Sequence, residues 1–440
     1  MNYINIITTT TLLTLSLISS RAQENVGVLS KDEAVQIAFE NNYDIKVANN
    51  NVKTAENNAS IYNSGYLPTL SSTVGGNYNL QNTTTSLTDG SSQSQTLDAT
   101  SYNASAGINY TLFDGMNRKY TYERFKELHN LSELQARQVV ESTILELFRV
   151  YYEVARLTEN ELNQIQTLSI SRERLLRARY SYEYGQSTQL DVLNAEVDFN
   201  TDSINYLNIA QQLDNTKRNL NVILGRDVKT EYSVDTTITY MHGLTLEELM
   251  QEAMKNNVQI LQNRSFLTAA EYDVGTARSG YIPRLDLNAS YQWRRNGNTV
   301  FWDSQTQLGP NAGLTLSWNI FDGGLTHTRI QNSKIAVENE QILSEQALQS
   351  LERDVNNAWR FYQNALFVLE AETKNLETNQ RNFDRTLEQN KLGQITSIVF
   401  RQAQQNLLLA NLRFNQAKYD AKIAELALLQ LAGYLLDAEF

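Results

Sequence analysis

The sequence predicts a mainly α-helical chain built as two copies of one unit, each a membrane β-hairpin followed by a long helix pair. Three observations carry this: an internal repeat, period-two runs of membrane-strand length, and long stretches free of Pro and Gly.

The repeat comes first, because its period decides the architecture. Leu29, Glu33, Ala38, Asn41, Asn42 and Ala55 recur as Leu244, Glu248, Ala253, Asn256, Asn257 and Ala270, always 215 residues later. Ser64, Gly65, Tyr66 and Pro68 recur at the same offset as Ser279, Gly280, Tyr281 and Pro283. Beyond a single change of loop length the offset is 208 and stays there. It pairs Phe113, Asp114 and Gly115 with Phe321, Asp322 and Gly323, Gly185 and Gln186 with Gly393 and Gln394, and Gly225 with Gly433. The expected organisation is a signal peptide over 1–22, a first repeat over 23–225, a connecting segment over 226–243, and a second repeat over 244–440.

Each repeat then alternates. Tyr102, Ala104, Ala106, Ile108, Tyr110 and Leu112 oppose Ser101, Asn103, Ser105, Asn109 and Thr111. Leu285, Leu287, Ala289, Tyr291 and Trp293 oppose Asp286, Asn288, Ser290, Gln292 and Arg294, and Ala312 to Ile320 behaves alike. Runs of about 10 residues suit a tilted transmembrane strand. The hairpins are expected over 68–113 and 283–321, with polar loops at 82–96 and 296–310. A soluble sandwich face alternates in the same way. Aromatic residues at one strand end, Tyr66, Phe113, Tyr281 and Phe321, favour a bilayer interface. Pro68 and Pro283 stand where helix must give way to strand.

The helix pairs are expected over 115–225 and 323–433. Ala195, Phe199, Asp202, Tyr206, Ile209, Leu213, Thr216, Leu220 and Ile223 keep the 4–3 spacing of a heptad seam. Ala403, Leu407, Ala410, Phe414, Ala417, Ala421, Ala424, Leu428 and Leu431 do the same. Gly185 and Gly393 stand where each helix must reverse, a position that needs the left-handed conformation.

Four strands per chain cannot close, and lipid does not tolerate an open edge. Eight strands leave an interior just filled by side chains, whereas twelve leave a lumen. Three copies are therefore expected to close a 12-stranded barrel, with the helices prolonging its lumen. The remaining composition fits. The apolar run over 6–19, followed by small residues near Ala22, reads as a cleaved signal. A net charge of −12 argues against a nucleic-acid partner. There is no Cys, hence no disulfide or thiolate metal site. His129, His242 and His327 lack metal-ligand spacing, and no nucleophile triad or phosphate loop is present, so no cofactor and no enzyme activity are expected.

The chain resembles the TolC family of outer-membrane channel proteins. The resemblance rests on Phe113-Asp114-Gly115, on Phe321-Asp322-Gly323-Gly324, and most specifically on the turn from Tyr184 to Ala195. It implies a homotrimer, a barrel in the outer membrane and an α-helical tunnel in the periplasm. It also implies work with a periplasmic adaptor (membrane fusion) protein and an inner-membrane transporter of RND, ABC or MFS type. Lipid-anchored relatives use an N-terminal Cys, so no lipid anchor is expected here.

From the resemblance, Tyr184, Gly185, Gln186, Leu392, Gly393 and Gln394 become expected adaptor-docking residues at the helical tips. Alternatively, the two glycines only permit the turns. Asp191 and Asn194 share a helix face, and the family's acidic constriction would fall at Val399 and Gln402, beside Arg401. Asp191 is therefore expected either to form a three-fold carboxylate ring, to pair with Arg401, or simply to favour a helix N-terminus. Asp114 and Asp322 are expected to shape the turns before the long helices. The expected function is that of an exit duct in a tripartite efflux system, passively conducting small molecules such as drugs and toxic compounds; the alternatives are export of polypeptides through the same fold and, in another class, a non-transport coiled-coil interaction role.

Overall fold

A computed structural model of the chain describes residues 27–241, 243–297 and 304–437. The expected signal peptide, His242 and part of the 296–310 loop lie outside the described residues.

The elements follow the repeat. The first copy runs β1 (Val28–Leu29), α1 (Lys31–Asn41), α2 (Tyr43–Asn58), β2 (Thr69–Ser86), β3 (Ser92–Phe113), α3 (Asn117–Glu183) and α4 (Gln189–Ile223). After the connecting strand β4 (Ser233–Val234) come α5 (Leu246–Asn256), α6 (Val258–Arg278), β5 (Arg284–Gly297), β6 (Ser304–Ser317), α7 (Leu325–Lys391) and α8 (Ser397–Ala432). The helices α3 and α7 both contain 67 residues. Equal length is what a shared, gap-free 208-residue offset requires. Among the described residues no helix is long and apolar enough to cross a membrane.

The chain divides into two compact units. One holds the residues up to Ala48, Arg137–Asn257 and those from Gln349 on; the other holds Asn49–Ala136 and Val258–Leu348.

In the second unit, strands β2, β3, β5 and β6 form one antiparallel sheet in the order β2-β3-β5-β6. Its register sorts the side chains onto two faces, because directly paired residues share a side. One face carries the rows Leu70–Ile108–Ala289–Ala312 and Val74–Ala104–Trp293–Leu308, with Tyr110, Leu287 and Leu314 beside them. The other carries Thr69–Asn109–Asn288–Gly313 and Thr73–Ser105–Gln292–Gly309. An apolar face opposite a small, polar one is the pattern of a sheet with lipid on one side and water on the other.

The strands depart from expectation at their ends. The presumed polar loop 82–96 is mostly strand: β2 and β3 pair as far as Ser86 with Ser92 and turn over 87–91. Its Thr, Ser and Gln residues are polar yet tolerated in a strand wet on both faces. Likewise β6 starts at Ser304, so Pro310 lies inside a strand rather than in a loop. Pro lacks the N–H of a ladder, so the strand gives up one donor at Pro310. At the other end β6 stops at Ser317, and Trp318 and Ile320 fall outside it.

In the first unit the core is helical. Ile144, Leu147, Phe148, Tyr151, Tyr152 and Ala155 of α3 bury against Ala421, Ala424, Leu428 and Leu429 of α8. Small residues on α8 let the aromatic residues of α3 fill the space between the helices. The connecting segment crosses this core held by side chains on its main chain. Lys31 Nζ donates to the Thr237 carbonyl at 3.3 Å, and Lys422 Nζ to the Thr239 carbonyl at 2.8 Å. Glu425 accepts from the Met241 amide at 3.0 Å, and Tyr151 accepts from the Asp235 amide at 3.0 Å.

All four long helices end the same way. After α3, Gly185 (φ +71°) donates its amide to the Tyr182 carbonyl and Gln186 donates to Ser181. The same pair of bonds recurs at Gly225, Gly393 and Gly433. This Schellman cap satisfies the carbonyls that the helix leaves free, and its left-handed residue favours Gly. At Gly225 and Gly433 a second demand is added. A Cβ there would lie 2.4 Å from the Asn41 carbonyl oxygen and 2.7 Å from that of Asn256, respectively. Asn42 and Asn257 follow in those turns, donating from Nδ2 to the Ile223 carbonyl at 2.8 Å and the Leu431 carbonyl at 3.0 Å.

Gly185→Ala is therefore expected to cost about 1 kcal/mol for the left-handed backbone alone. Gly225→Ala should cost roughly 2 kcal/mol more, because the new methyl also meets a carbonyl oxygen. Chemical denaturation of the two variants measures the difference, and equal losses would refute the close approach.

Candidate functional site: the helical tips and the seam between α3 and α8

Pro68 and Pro283 immediately precede β2 and β5. Asp114 accepts from the Arg118 amide and from Arg118 Nε, both at 3.0 Å. Asp322 accepts from the Gly324 amide at 3.1 Å and the Thr326 amide at 2.8 Å. Both carboxylates thus cap a long helix and carry no geometry for acid–base chemistry. Phe113 ends β3, and Phe321 is exposed just beyond β6. Gly115 (φ +67°) is enclosed, with a Cβ placed 2.7 Å from that of Ile282, whereas Gly323 (φ +69°) is open.

At the tips, Tyr184 and Leu392 are exposed beside Gly185 and Gly393. A side chain at either Gly would find nothing within 4 Å, so the backbone angle and not space demands Gly there. Gln186 and Gln394 complete the two turns through their amides. The first tip presents Tyr180, Tyr182 and Tyr184; the second presents Leu392, Ile398 and Val399.

Asp191 and Asn194 are exposed on α4, but Asp191 does not pair with Arg401. It closes a capping box instead. Thr188 Oγ1 accepts from the Asp191 amide, while Asp191 Oδ2 accepts from the Thr188 amide at 3.0 Å and from its hydroxyl at 2.8 Å. These bonds, the backbone one foremost, hold its pKa below the usual 3.8. In the second repeat Thr396 caps α8 alike, and Val399 leaves the box half made. The difference between Asp191 and Val399 is thus in the first place a difference in helix capping. Gln402 is exposed and donates to Asn406 Oδ1 at 2.9 Å.

Arg401 turns inward. Its Nη1 meets Asp202 Oδ2 at 2.6 Å and its Nη2 meets Asp202 Oδ1 at 2.8 Å, a two-point pair between α8 and α4. Nη1 also donates to Gln404 Oε1 at 3.2 Å and to Ser171 Oγ at 3.3 Å, and Ser171 donates to Asp202. Asp198 lies 3.4 Å from Arg401 Nε and receives Arg174 Nη2 at 3.0 Å. Burial works against the Arg401 charge, but the hydrogen bond and carboxylate of Asp202 outweigh it and raise its pKa. At Arg174 burial prevails and lowers it. Three helices are fastened here by two guanidinium groups and two carboxylates.

Sequence reasoning reached Arg401 and missed the rest of this cluster. A signal existed: Asp202 occupies a seam position in an otherwise apolar and aromatic heptad series. A charge at such a position needs a buried partner. Among the described residues no group of His, Cys, Asp or Glu is placed to hold a metal.

An antiparallel sheet with one apolar face, joined in each repeat to a coiled-coil hairpin, is the architecture of a membrane channel chain. The comparisons agree. The family model described as outer membrane efflux protein matches residues 34–226 and again 249–434. The chain belongs to the outer membrane efflux protein family.

A curated relative, the outer membrane efflux protein BepC of Brucella suis, is 22% identical over 397 residues, covering 90% of this chain and 83% of the relative. The outer membrane protein TolC of Vibrio cholerae is 25% identical over 358 residues, covering 76% of this chain and 78% of that protein. Among solved structures, the Campylobacter jejuni CmeC outer membrane channel superposes with a TM-score of 0.77 at 16% identity, covering 92% of this chain and 86% of that one. The chain is an outer-membrane channel protein and not an enzyme.

Removing one member of the buried pair should be far worse than replacing both. Arg401→Met alone or Asp202→Leu alone is expected to cost about 3–5 kcal/mol, because each strands a buried charge. The double change Arg401→Met with Asp202→Leu should cost much less. Denaturation of the four proteins forms a double-mutant cycle; additive losses would deny the coupling.

Proposed function

We propose that the protein is the outer-membrane exit duct of a tripartite efflux system, a homotrimer that passively conducts small molecules to the outside. The observation that carries this is the four-stranded sheet with an apolar face and two edges, β2 and β6, that have no partner strand among the described residues. A bilayer leaves no water for such edges, so β6 of one copy pairs with β2 of the next. Three copies give twelve strands and a lumen lined by the small polar face. The long helices form a periplasmic α-helical tunnel in the same assembly.

Energy for export comes from elsewhere, since no nucleotide-binding motif is present in the sequence. An inner-membrane transporter of RND, ABC or MFS type supplies it, and a periplasmic adaptor links the two. The adaptor docks at the tips, on Tyr184, Gly185, Gln186, Leu392, Gly393 and Gln394. Both tips expose aliphatic residues, Leu190 in the first and Leu392 and Ile398 in the second, and the first adds Tyr180, Tyr182 and Tyr184. A deletion strain is expected to become sensitive to several dyes, detergents or antibiotics while its secreted proteins are unchanged. Lost polypeptide secretion with unchanged sensitivity would favour a type I secretion duct instead. A coiled-coil interaction protein with no transport role predicts neither change.

Replacing both Gly185 and Gly393 with a bulky residue such as Gln is expected to abolish export while trimers still form. Drug accumulation and cross-linking measure the two, and normal export would remove the docking assignment.

Asp191 contributes a ring of three carboxylates, beside Asn194, at the periplasmic aperture. Val399 and Gln402 line the second-repeat positions of that aperture, and Arg401 anchors them from behind. Because the Asp191 pKa is lowered, the ring stays charged through neutral and mildly acidic pH. Cation preference should persist there and fall away only as pH drops through that lowered value. Single-channel recordings of Asp191→Asn should show reduced cation preference at neutral pH; an unchanged preference dismisses the ring.

A further inference from the structure

The sheet of the second unit carries few charges, and its register sorts them. Within the four strands the described residues include the cations Arg284, Arg294 and Arg295 and the anions Asp98 and Asp286. Asp98 pairs with Leu80, and Arg295 with Tyr102 and Thr306, so both lie on the face that carries the apolar rows. Arg284, Asp286 and Arg294 lie on the polar face.

At the end of the polar face nearest the helices the charges cancel. Arg284 Nε meets Asp286 Oδ2 at 2.8 Å, and Asp286 Oδ1 accepts from Thr111 Oγ1 at 2.7 Å. Arg294 stands 10 residues along the same strand, toward the hairpin end. That is about 33 Å of extended chain. Its row is Gly75–Asn103–Arg294–Gln307. The flanking rows are Thr73–Ser105–Gln292–Gly309 and Asn77–Ser101–Asn296–Gln305, and none of the three contains a carboxylate. Asn103 leans away from Arg294, over Gly75, where a Cβ would lie 3.0 Å from Asn103 Oδ1. Arg294 is exposed and makes no hydrogen bond or ion pair with a described residue. Asp89, in the turn between β2 and β3, is engaged by the Ser91 amide at 2.9 Å and hydroxyl at 2.7 Å. Asp303, between β5 and β6, lies outside the described residues.

We propose that Arg294 forms a three-fold cationic ring in the barrel lumen, toward its outer mouth, and that this ring binds multivalent anions of the polyphosphate class. The inference rests on the trimeric barrel proposed above and adds a binding site to it. Twelve strands spaced about 4.8 Å apart and tilted about 40° give a circumference of about 75 Å, hence a diameter of about 24 Å. The wall is then about 12 Å from the axis, close to the Debye length of about 8 Å at physiological salt, and the side chains shorten that distance. The fields of the three guanidinium groups therefore overlap in the lumen. A guanidinium stays charged at any working pH, and its fork of N–H donors matches phosphate oxygens. Rings of Arg or Lys are the device by which pores favour anions and phosphates. An anion with several charges can engage more than one member of the ring at once, and each further contact is made at high effective concentration. The ring is opposite in sign to the one proposed for Asp191, so the two ends of the duct treat ions differently.

The test is the conductance of the full chain, purified from outer membranes and reconstituted in planar bilayers, with inorganic tripolyphosphate added to one compartment at a time. Block is expected from one side, and it should weaken as salt is raised. Arg294→Gln should raise the blocking concentration by roughly tenfold, as the loss of charge-assisted contacts predicts. Arg294→Lys keeps the charge and should retain most of the block. Arg295→Gln alters the next residue, on the opposite face, and should be blocked like the unaltered channel. An unaltered channel that conducts and is not blocked would overturn the ring. So would equal block of Arg294→Gln and the unaltered channel, or an equal loss in Arg295→Gln. Folded, heat-modifiable protein that opens no channel would overturn the trimeric duct, and the ring with it.

Discussion

A β-sheet in a bilayer must satisfy every backbone N–H and C=O from within the protein, since the lipid offers no hydrogen bonds. Four strands in the order β2-β3-β5-β6 pair three seams and leave two edges over. That deficit is the constraint on which the rest depends. It makes the single chain incomplete, and the apolar face of the sheet makes the incompleteness a matter of membrane insertion rather than aggregation alone. Everything outside the sheet can be read as serving copies of this unit. The two repeats deliver their strand pairs side by side, and helices of equal length follow each pair.

The same demand for backbone partners governs the helix ends. Each of α3, α4, α7 and α8 closes its last turn with a left-handed Gly, and the three residues in Thr188, Thr245 and Thr396 open helices by accepting an amide. At Gly225 and Gly433 the cap also admits the turn that contains Asn42 or Asn257. Helix termination and tertiary packing are one event there, so these glycines are fixed by two causes and the tip glycines by one.

Function follows from what differs between the repeats. Equivalent backbones carry unlike side chains along the seams: buried Arg401 and Asp202 within the chain, exposed Leu193 and buried Ala410 at the matching places. A buried ion pair contributes more to specificity than to net stability, because desolvation offsets most of its attraction. Its position between three helices suits the fixing of a register that a long, repetitive coiled coil would otherwise leave ambiguous. The Asp191 and Val399 pair is a second such difference, and there the first consequence is a stronger start to α4 than to α8.

Much of this was legible in the sequence alone. The duplication, the strand periodicity, the reversing glycines and the helix lengths are local or periodic signals, written in residues that act on their own backbone or their near neighbours. The polar strand ends were not legible, because Thr, Ser and Gln at 82–96 suit a wet strand as well as a loop, and only the pairing of β2 with β3 decides between them. Nor was the partner of Arg401. Asp191 lies close to it along the repeat pattern, yet the guanidinium meets Asp202, 199 residues away, because helix packing sets which faces meet and a capping box had already engaged Asp191. The sequence by itself determined the repeated unit and its membrane character, since both arise from periodicity. Only the tertiary structure decided which charges are buried together and which apolar faces stay open, since those depend on how two helices far apart in the chain come to lie side by side.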